Sequence, residues 1–173
     1  NGNAGARDCA LLAVLFGAGL RRSEAAALVV ADIESDALLV QSGKGSKGRR
    51  VPIDSATRDA LARWCEKLQG GLLLRAVNKG DAIQSTGMTG EAIRRRLLTL
   101  CKRANIEAFR PHDARRSYAS ALLDSGVDLA VVARLLGHAS VLVTAGYDRR
   151  GARAEAEAAC LVRFPYDGAE ALA

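Results

Sequence analysis

The feature that most constrains the fold is a pair of short strand-like runs joined by a glycine-rich turn. Residues 37–41 (ALLVQ) and 49–53 (RRVPI) have the apolar character of strands, and the turn between them, 43–48, is GKGSKG. Two such runs separated by a short turn rich in glycine are typical of a β-hairpin. The sequence therefore predicts an antiparallel hairpin whose turn carries two lysines, Lys44 and Lys47.

Helical patterns account for most of the remaining chain. Residue types that favour helix N-termini stand at Ser23, Asp54, Thr89 and Asp128, directly before helix-like segments. The predicted helices span 7–16, 23–28, 54–68, 89–104, 111–125, 128–136, 140–147 and 152–162, and residues 72–77 are predicted as a third strand. This order predicts an α+β fold, a mostly helical domain with a small antiparallel β-sheet.

The charge of the chain favours a polyanionic partner. Lys and Arg number 25 against 19 Asp and Glu, which gives a formal net charge of +6. Residues 94–116 hold eight basic and two acidic residues, so that stretch alone carries +6. A solvated helix face is the usual explanation of such a run, and ribosomal contacts, a membrane surface or solubility alone would give the same net charge. Because the run lies among other polar motifs, phosphate contact is the preferred interpretation.

Several classes of protein are disfavoured by the sequence. A length of 173 residues suits one domain, and no apolar run approaches the roughly 18 residues that a membrane helix needs. No signal peptide is visible at the start. The four cysteines are 56, 36 and 59 residues apart and only two histidines exist, so we expect no metal site. Reduced thiols and a cytoplasmic location are predicted.

Four short motifs contain the residues most suited to chemistry. They are GLRRSE at 19–24 with Arg21 and Glu24, the hairpin turn with Lys44, HDAR at 112–115, and LGH at 136–138 followed nine residues later by Tyr147. Each motif alone has an ordinary structural explanation, such as a helix cap, a solvated lysine or a histidine at a helix end. Their occurrence together and in this order is much more specific.

In this order the motifs resemble the active site of the tyrosine recombinases, the phage integrase family. The family pattern is an arginine in a G-L-R-x-S-E turn, a lysine in a G-K-G-x-K hairpin, an H-x-x-R helix, L-G-H, and a nucleophilic tyrosine nine residues on. The matching residues here are Arg21, Lys44, His112, Arg115, His138 and Tyr147. The resemblance covers roughly residues 7–150. One departure is Gly146 beside the tyrosine. We also expect residues 1–173 to lack the N-terminal DNA-clamping domain that the family normally carries.

The resemblance implies cleavage and rejoining of double-stranded DNA through a 3′-phosphotyrosine, with no ATP, cofactor or metal. Tyr147 would attack the phosphodiester, with His112 accepting its proton. Arg21 and Arg115 would bind the non-bridging oxygens as planar forks, and His138 would donate a hydrogen bond. Lys44 would protonate the leaving 5′-oxygen.

The resemblance and the charge pattern also suggest residues that orient the catalytic groups or contact DNA. Glu24 would orient Arg21 or His112. We expect Lys47, Arg49, Arg94, Arg95 and Arg96 to contact DNA, although adjacent helix residues point about 100° apart, so only one or two of the last three should reach phosphates. Tyr118 and Tyr166 are rival nucleophiles, and Tyr118 is better explained as a core residue.

Two other functions compete with the recombinase. A type IB topoisomerase uses closely similar chemistry but nicks and reseals one duplex. A helix-turn-helix regulator would explain the basic charge and the helices of 121–144, but not Arg21, Lys44 or the spacing from His138 to Tyr147.

The recombinase resemblance also implies an assembly. We expect residues 1–173 to form a single catalytic domain with a C-terminal tail helix at 151–173. By resemblance, the tail docks on a neighbouring protomer in a tetramer on DNA. A tail folded on its own domain is nearly as good an explanation, and the isolated chain should be a monomer.

Overall fold

The computed structural model describes residues 2–41, 48–138, 140–148 and 151. The chain begins with helix α1 (Asn3–Leu12), which continues as one π-helical turn (Ala13–Gly17), and helix α2 follows (Arg22–Ala27). After a 3-10 turn (Val30–Asp32) come strands β1 (Ala37–Val40) and β2 (Arg49–Pro52), helix α3 (Ser55–Cys65), and strands β3 (Arg75–Val77) and β4 (Ile83–Gly87). The remaining described helices are α4 (Gly90–Ala104), α5 (Pro111–Asp124), α6 (Leu129–Leu136) and α7 (Val141–Ala145).

The predicted hairpin is confirmed as an antiparallel pair. Leu38 lies opposite Val51 and Val40 lies opposite Arg49. Residues 42–47, which include Lys44 and Lys47 of the predicted turn, lie outside the described residues. The fold class is also confirmed, because the molecule is mostly helical with small antiparallel sheets.

The sequence missed one strand, and in the described ranges the β structure is two separate two-stranded sheets instead of one. The predicted third strand shortens to β3, which pairs with the unpredicted β4. Strand β4 has the sequence IQSTG, which lacks a regular alternation of apolar and polar residues. Without that alternation, the main sequence signal of a strand is missing.

Helix boundaries follow the predicted caps, with one exception. Asp54 accepts a hydrogen bond from the Thr57 amide and Thr89 from the Ala92 amide, and both cap helices as predicted. The prediction of Ser23 as a cap is wrong. Helix α2 begins at Arg22 with Arg21 in the capping position, because the Glu24 carboxylate accepts a hydrogen bond from the Arg21 amide at 2.8 Å.

Two hydrophobic clusters hold the helices together. The larger contains residues of α1, α3, α4 and the β1–β2 sheet, and β3 and β4 pack against it through Val77 and Ile83. It includes Trp64, whose indole N–H donates to the Leu73 carbonyl at 2.7 Å. The smaller joins α5 to α6 through Ala119, Leu123, Val132 and Leu136. Helix α5 contributes to both clusters, since Ala114 near its start belongs to the larger one. The first turns of α5 therefore lie where the two parts of the domain meet.

In the described part of the chain, no helix is long and apolar enough to cross a membrane. The predicted helix at 152–162 lies outside the described residues.

Candidate active site

Arg115 is held deep between the two hydrophobic clusters. Its side chain is only 2% exposed, and Nη1 donates to the Gly19 carbonyl at 2.8 Å while Nη2 donates to the Leu136 carbonyl. Burial, followed by the nearby positive charge of Arg21, lowers its pKa to about 10. The guanidinium therefore keeps its charge at neutral pH, although it is taken out of bulk water.

Arg21 reaches the same place from the turn before α2. Gly19 makes this turn possible, because its φ is +61° and a Cβ there would lie 2.5 Å from the Tyr118 ring. The Arg21 guanidinium donates to Glu24 at 2.9 Å and to the Gly137 carbonyl at 3.2 Å. Its side chain is 43% exposed, so Arg21 lies closer to solvent than Arg115.

The Glu24 carboxylate is shared by these arginines and by Arg49. Arg49 donates to both carboxylate oxygens, at 2.8 and 2.9 Å, and Arg115 Nη1 lies 3.8 Å away. Burial by itself raises the pKa of Glu24, but the hydrogen bonds from Arg49 and Arg21 outweigh burial and lower the pKa to about 2. Glu24 thus contacts Arg21, one of its two predicted targets, and within the described residues its carboxylate accepts hydrogen bonds from Arg21 and Arg49.

The carboxyl end of α6 holds the same three arginines. The carbonyls of three consecutive residues, Leu135, Leu136 and Gly137, accept hydrogen bonds from Arg49, Arg115 and Arg21 respectively. The last carbonyls of a helix have no partner within the helix and carry a partial negative charge. The end of α6 is therefore suited to binding cations.

His138 follows directly after this helix end. Gly137 has a φ of +63°, which turns the chain and brings His138 beside α7. The His138 Nδ1 atom lies 2.7 Å from the hydroxyl of the fully buried Thr144. Burial, and then the charges of Arg115 and Arg21, lower the pKa of His138 to about 4. His138 is therefore neutral near pH 7.

Tyr147 lies between the two histidines. Its hydroxyl is 3.4 Å from His112 Nε2, and its ring centre is 6.0 Å from that of His112 and 5.9 Å from that of His138. The guanidinium of Arg116 lies 5.7 Å from the centre of the tyrosine ring. The tyrosine is partly buried against the smaller hydrophobic cluster. Contacts with α5 and with the residues after α6 thus place Tyr147, which follows α7, beside Arg21 and Arg115.

These groups line two clefts that share Arg21, His112 and Arg115. One has a volume of about 340 Å³ and also contains His138 and Tyr147. The other has a volume of about 590 Å³ and includes Arg22, Arg94 and Arg110. In the described residues the structure thus brings together five of the six predicted catalytic residues, and the sixth, Lys44, lies outside them.

The residues predicted to contact DNA are placed in different surroundings. Arg94 lines the larger cleft and is paired with Glu91 at 2.7 Å. The Arg95 side chain is 70% exposed, whereas Arg96 pairs with the buried Asp8 of α1. The expected divergence of the three side chains is confirmed. Their DNA contacts stay predictions, as do those of Arg49 and of Lys47, which lies outside the described residues.

The sequence did not predict two parts of this site. One is Thr144, whose hydroxyl contacts His138 from near the end of α7. The other is Arg49, which was expected at the DNA surface but is directed inward to Glu24. Neither contact has a local sequence signal, because each joins residues of different elements. Among the described residues, no group of three or more His, Cys, Asp or Glu side chains could hold a metal ion.

Comparison with known proteins agrees with this arrangement. The chain belongs to the phage integrase family, whose model matches residues 1–152. Within that family it is similar to the tyrosine recombinase XerC of Chromohalobacter salexigens, with 37% identity over 149 residues, and to that of Bacillus subtilis, with 36% over 151. Each comparison covers 83% of this chain but only 48% and 49% of those relatives. The chain spans about half the length of the relatives it matches.

Solved structures show the same fold. The XerA recombinase superposes with a TM-score of 0.74 at 27% identity, over 94% of this chain and 60% of that one. A pre-cleavage complex of the XerH site-specific recombinase with its difH substrate superposes with a TM-score of 0.70 at 24% identity, over 92% of this chain and 48% of that one. The catalytic domain of bacteriophage HP1 integrase has a TM-score of 0.57 at 21% identity, over 86% of this chain and 79% of that one.

Proposed function

We propose that this chain is the catalytic domain of a site-specific DNA recombinase, which cleaves and rejoins strands of double-stranded DNA through a 3′-phosphotyrosine at Tyr147. The observation that carries the proposal is the convergence of two guanidinium groups, two imidazoles and a phenol at one open cleft. Membership of the phage integrase family and the similarity to XerC recombinases support it.

The chemistry follows from the groups present. Tyr147 attacks the phosphorus, its oxygen forms the new P–O bond, and the 5′-oxygen of the next nucleotide leaves. His112, 3.4 Å from the phenol, takes the phenolic proton, since a base and its donor often tighten only when the substrate binds. Lys44 of the hairpin turn returns a proton to the leaving oxygen. Attack by the freed 5′-hydroxyl of another strand reverses these steps and restores the tyrosine, so no external energy source is consumed.

Charge stabilisation comes from the arginines and the neutral histidine. Negative charge grows on the two non-bridging oxygens in the transition state, and the planar forks of Arg21 and Arg115 suit those oxygens. His138 is neutral near pH 7 because its pKa is lowered by burial and by the neighbouring arginines. If the Thr144 hydroxyl donates to Nδ1, the proton of the imidazole is on Nε2, from which it donates to the phosphate.

Assembly is a further part of the proposal. Three neighbouring apolar side chains on α7 are exposed, Val141 to 42%, Leu142 to 82% and Val143 to 52%. They precede Tyr147 by six to four residues, so a protomer docked on them would influence the position of the nucleophile. This exposed apolar surface supports self-association on DNA. The resemblance to the family suggests residues 151–173 as the docking segment and four protomers in the complete assembly.

The test is covalent capture of DNA. The target sequence is unidentified, so the probe is a pool of nicked duplexes with a randomised central segment, in which cleavage releases a short strand and traps the adduct. We expect a 3′-linked adduct on the peptide containing Tyr147, and none with Tyr147→Phe. Tyr118→Phe is the matched control and should form the adduct, because Tyr118 packs against Gly19 and the smaller cluster.

The same assay separates the alternatives. Joining of strands from two duplexes identifies a recombinase, whereas relaxation of supercoiled DNA without exchange of partners identifies a topoisomerase. A chain that binds DNA but forms no adduct at any sequence would be a regulator, and the proposal would then be wrong.

A further inference from the structure

The Arg49 side chain is directed into the protein and forms hydrogen bonds with other elements of the fold. It is the first residue of β2, directly after the hairpin turn, and its side chain is only 16% exposed. Its Nε donates to the Leu135 carbonyl at 2.8 Å, and its two Nη atoms donate to the two oxygens of Glu24 at 2.8 and 2.9 Å. Three of the five N–H groups of the guanidinium are therefore already used.

Its neighbour Arg50 shows the contrast. The Arg50 side chain is 47% exposed and pairs with Glu34 and Asp36, two acidic side chains that are themselves well exposed. The two residues alternate across the strand, so one guanidinium points to the protein interior and the other to solvent. The contacts of Arg49 with Glu24 and with α6 thus result from its position in the hairpin register.

Arg49 also lies against the glycine of the LGH motif. A Cβ added to Gly137 would come 2.9 Å from Arg49 Nη1 and 3.1 Å from its Cδ. The guanidinium therefore packs on the backbone immediately before His138. It touches both structures that hold Arg21 and Arg115, namely the Glu24 carboxylate and the carboxyl end of α6.

We propose that Arg49 is a positioning residue, which joins Glu24 to the end of α6 and thereby holds Arg21, Arg115 and His138 in their relative places. This role replaces the DNA contact that the sequence predicts for Arg49, so that the side chain would touch neither the reacting phosphate nor the DNA backbone. This inference rests on the proposed function, because the reacting groups it positions are those of the DNA cleavage reaction.

The physical consequence of removing Arg49 follows from these contacts. Glu24 would lose the two hydrogen bonds that the Arg49 guanidinium donates and would interact more strongly with the guanidinium groups of Arg21 and Arg115. The Leu135 carbonyl would lose its donor. A shift of about 1 Å in a reacting group costs about 100-fold in rate. Binding of DNA should change little, because the binding surface is left intact.

The experiment compares Arg49→Met with Arg50→Met in the chain of residues 1–173. With a duplex recovered by covalent capture, we expect cleavage at saturating DNA to fall about 100-fold for Arg49→Met and to stay near normal for Arg50→Met. The slope of log Kd against log salt should be unchanged for Arg49→Met. A slope reduced by about one unit, with cleavage at saturating DNA unchanged, would identify a phosphate contact and overturn the proposal.

Arg49→Lys tests the proposal even if Arg49→Met fails to fold, because it keeps a cation beside Glu24. A single ammonium cannot reproduce the fork that bonds both carboxylate oxygens and the Leu135 carbonyl, so we expect only partial recovery of cleavage at an unchanged melting temperature. Full recovery would mean that charge alone matters and that positioning by the fork is wrong.

A second measurement needs no DNA. Guanidinium groups held by several hydrogen bonds rotate slowly, so the side-chain NMR signals of Arg21 and Arg115 should be resolved in a ¹⁵N-labelled chain. We expect Arg49→Lys to shift or broaden them and Arg50→Met to leave them in place. If the signals do not move with Arg49→Lys, the positioning proposal is wrong, with or without cleavage of DNA by the chain. If the unmodified chain forms no covalent adduct, the proposed function is refuted. The NMR measurement then still tests the role of Arg49.

Discussion

Removing the charge of Glu24 should destabilise the domain, and the loss should depend on pH. The carboxylate accepts hydrogen bonds from Arg21 and Arg49 and lies 3.8 Å from Arg115, and its side chain is 13% exposed. Its pKa is lowered from the ordinary 4.5 to about 2. One pKa unit corresponds to about 1.4 kcal/mol, so the full shift amounts to about 3 kcal/mol. Solvent at the cleft screens part of this, and we expect about 2 kcal/mol.

The sign of the pH dependence follows from the lowered pKa. The stabilisation is complete above the unfolded value of 4.5 and is lost as the pH falls toward 2. Urea denaturation should therefore show Glu24→Gln to be less stable than the natural chain by about 2 kcal/mol at pH 7, with more than half of this difference gone by pH 3. The control is Glu34→Gln, which removes a surface partner of Arg50 and should cost less than about 1 kcal/mol.

The result that would refute this reasoning is a pH-independent difference between Glu24→Gln and the natural chain. Such a result would mean that the glutamine side chain destabilises the protein by disturbing packing. The interaction of the Glu24 charge with the arginines would then contribute nothing to stability. Equal stability of the two proteins at pH 7 would refute it as well.

Two further predictions concern a glycine and the arginines of α4. Gly137→Ala should cost about 1–2 kcal/mol for its positive φ and should also slow cleavage, because the new methyl group would meet the Arg49 guanidinium at 2.9 Å and displace it. Gly126→Ala, at a φ of +82° with nothing within 4 Å, should lose a similar amount of stability but keep cleavage, and equal cleavage by the two variants would contradict this. Arg94→Gln should lower the salt slope of DNA binding by about one unit, because Arg94 lines the larger cleft. Arg96→Gln should leave the slope unchanged and lower the melting temperature, because it removes the ion pair with Asp8. The opposite pattern would reverse the two roles.

Much of the site could be predicted from the sequence because its parts are local. Arg21 with Glu24, and His112 with Arg115, are three residues apart, a spacing that places side chains on one side of a helical turn. The positions of Asp54, Thr89 and Asp128 predicted three helix starts because capping is a contact within one turn. The strand β4 was missed since its stability depends on pairing with β3 and not on its own composition.

The sequence by itself determined which chemical groups the chain contains, the order in which they follow, and the helices and hairpin that carry them, since each of these depends on neighbours within a few residues. Only the tertiary structure decided what those groups contact. The Glu24 carboxylate and three successive carbonyls at the carboxyl end of α6, the last of them that of Gly137, are shared by arginines from α5, from β2 and from the turn before α2. Arg49 and Arg50 are adjacent basic residues of the same strand, yet one holds this cluster together and the other lies at the surface. The reason is physical: a guanidinium is directed by whichever acceptors the packed elements bring near it, and those acceptors come from distant parts of the chain.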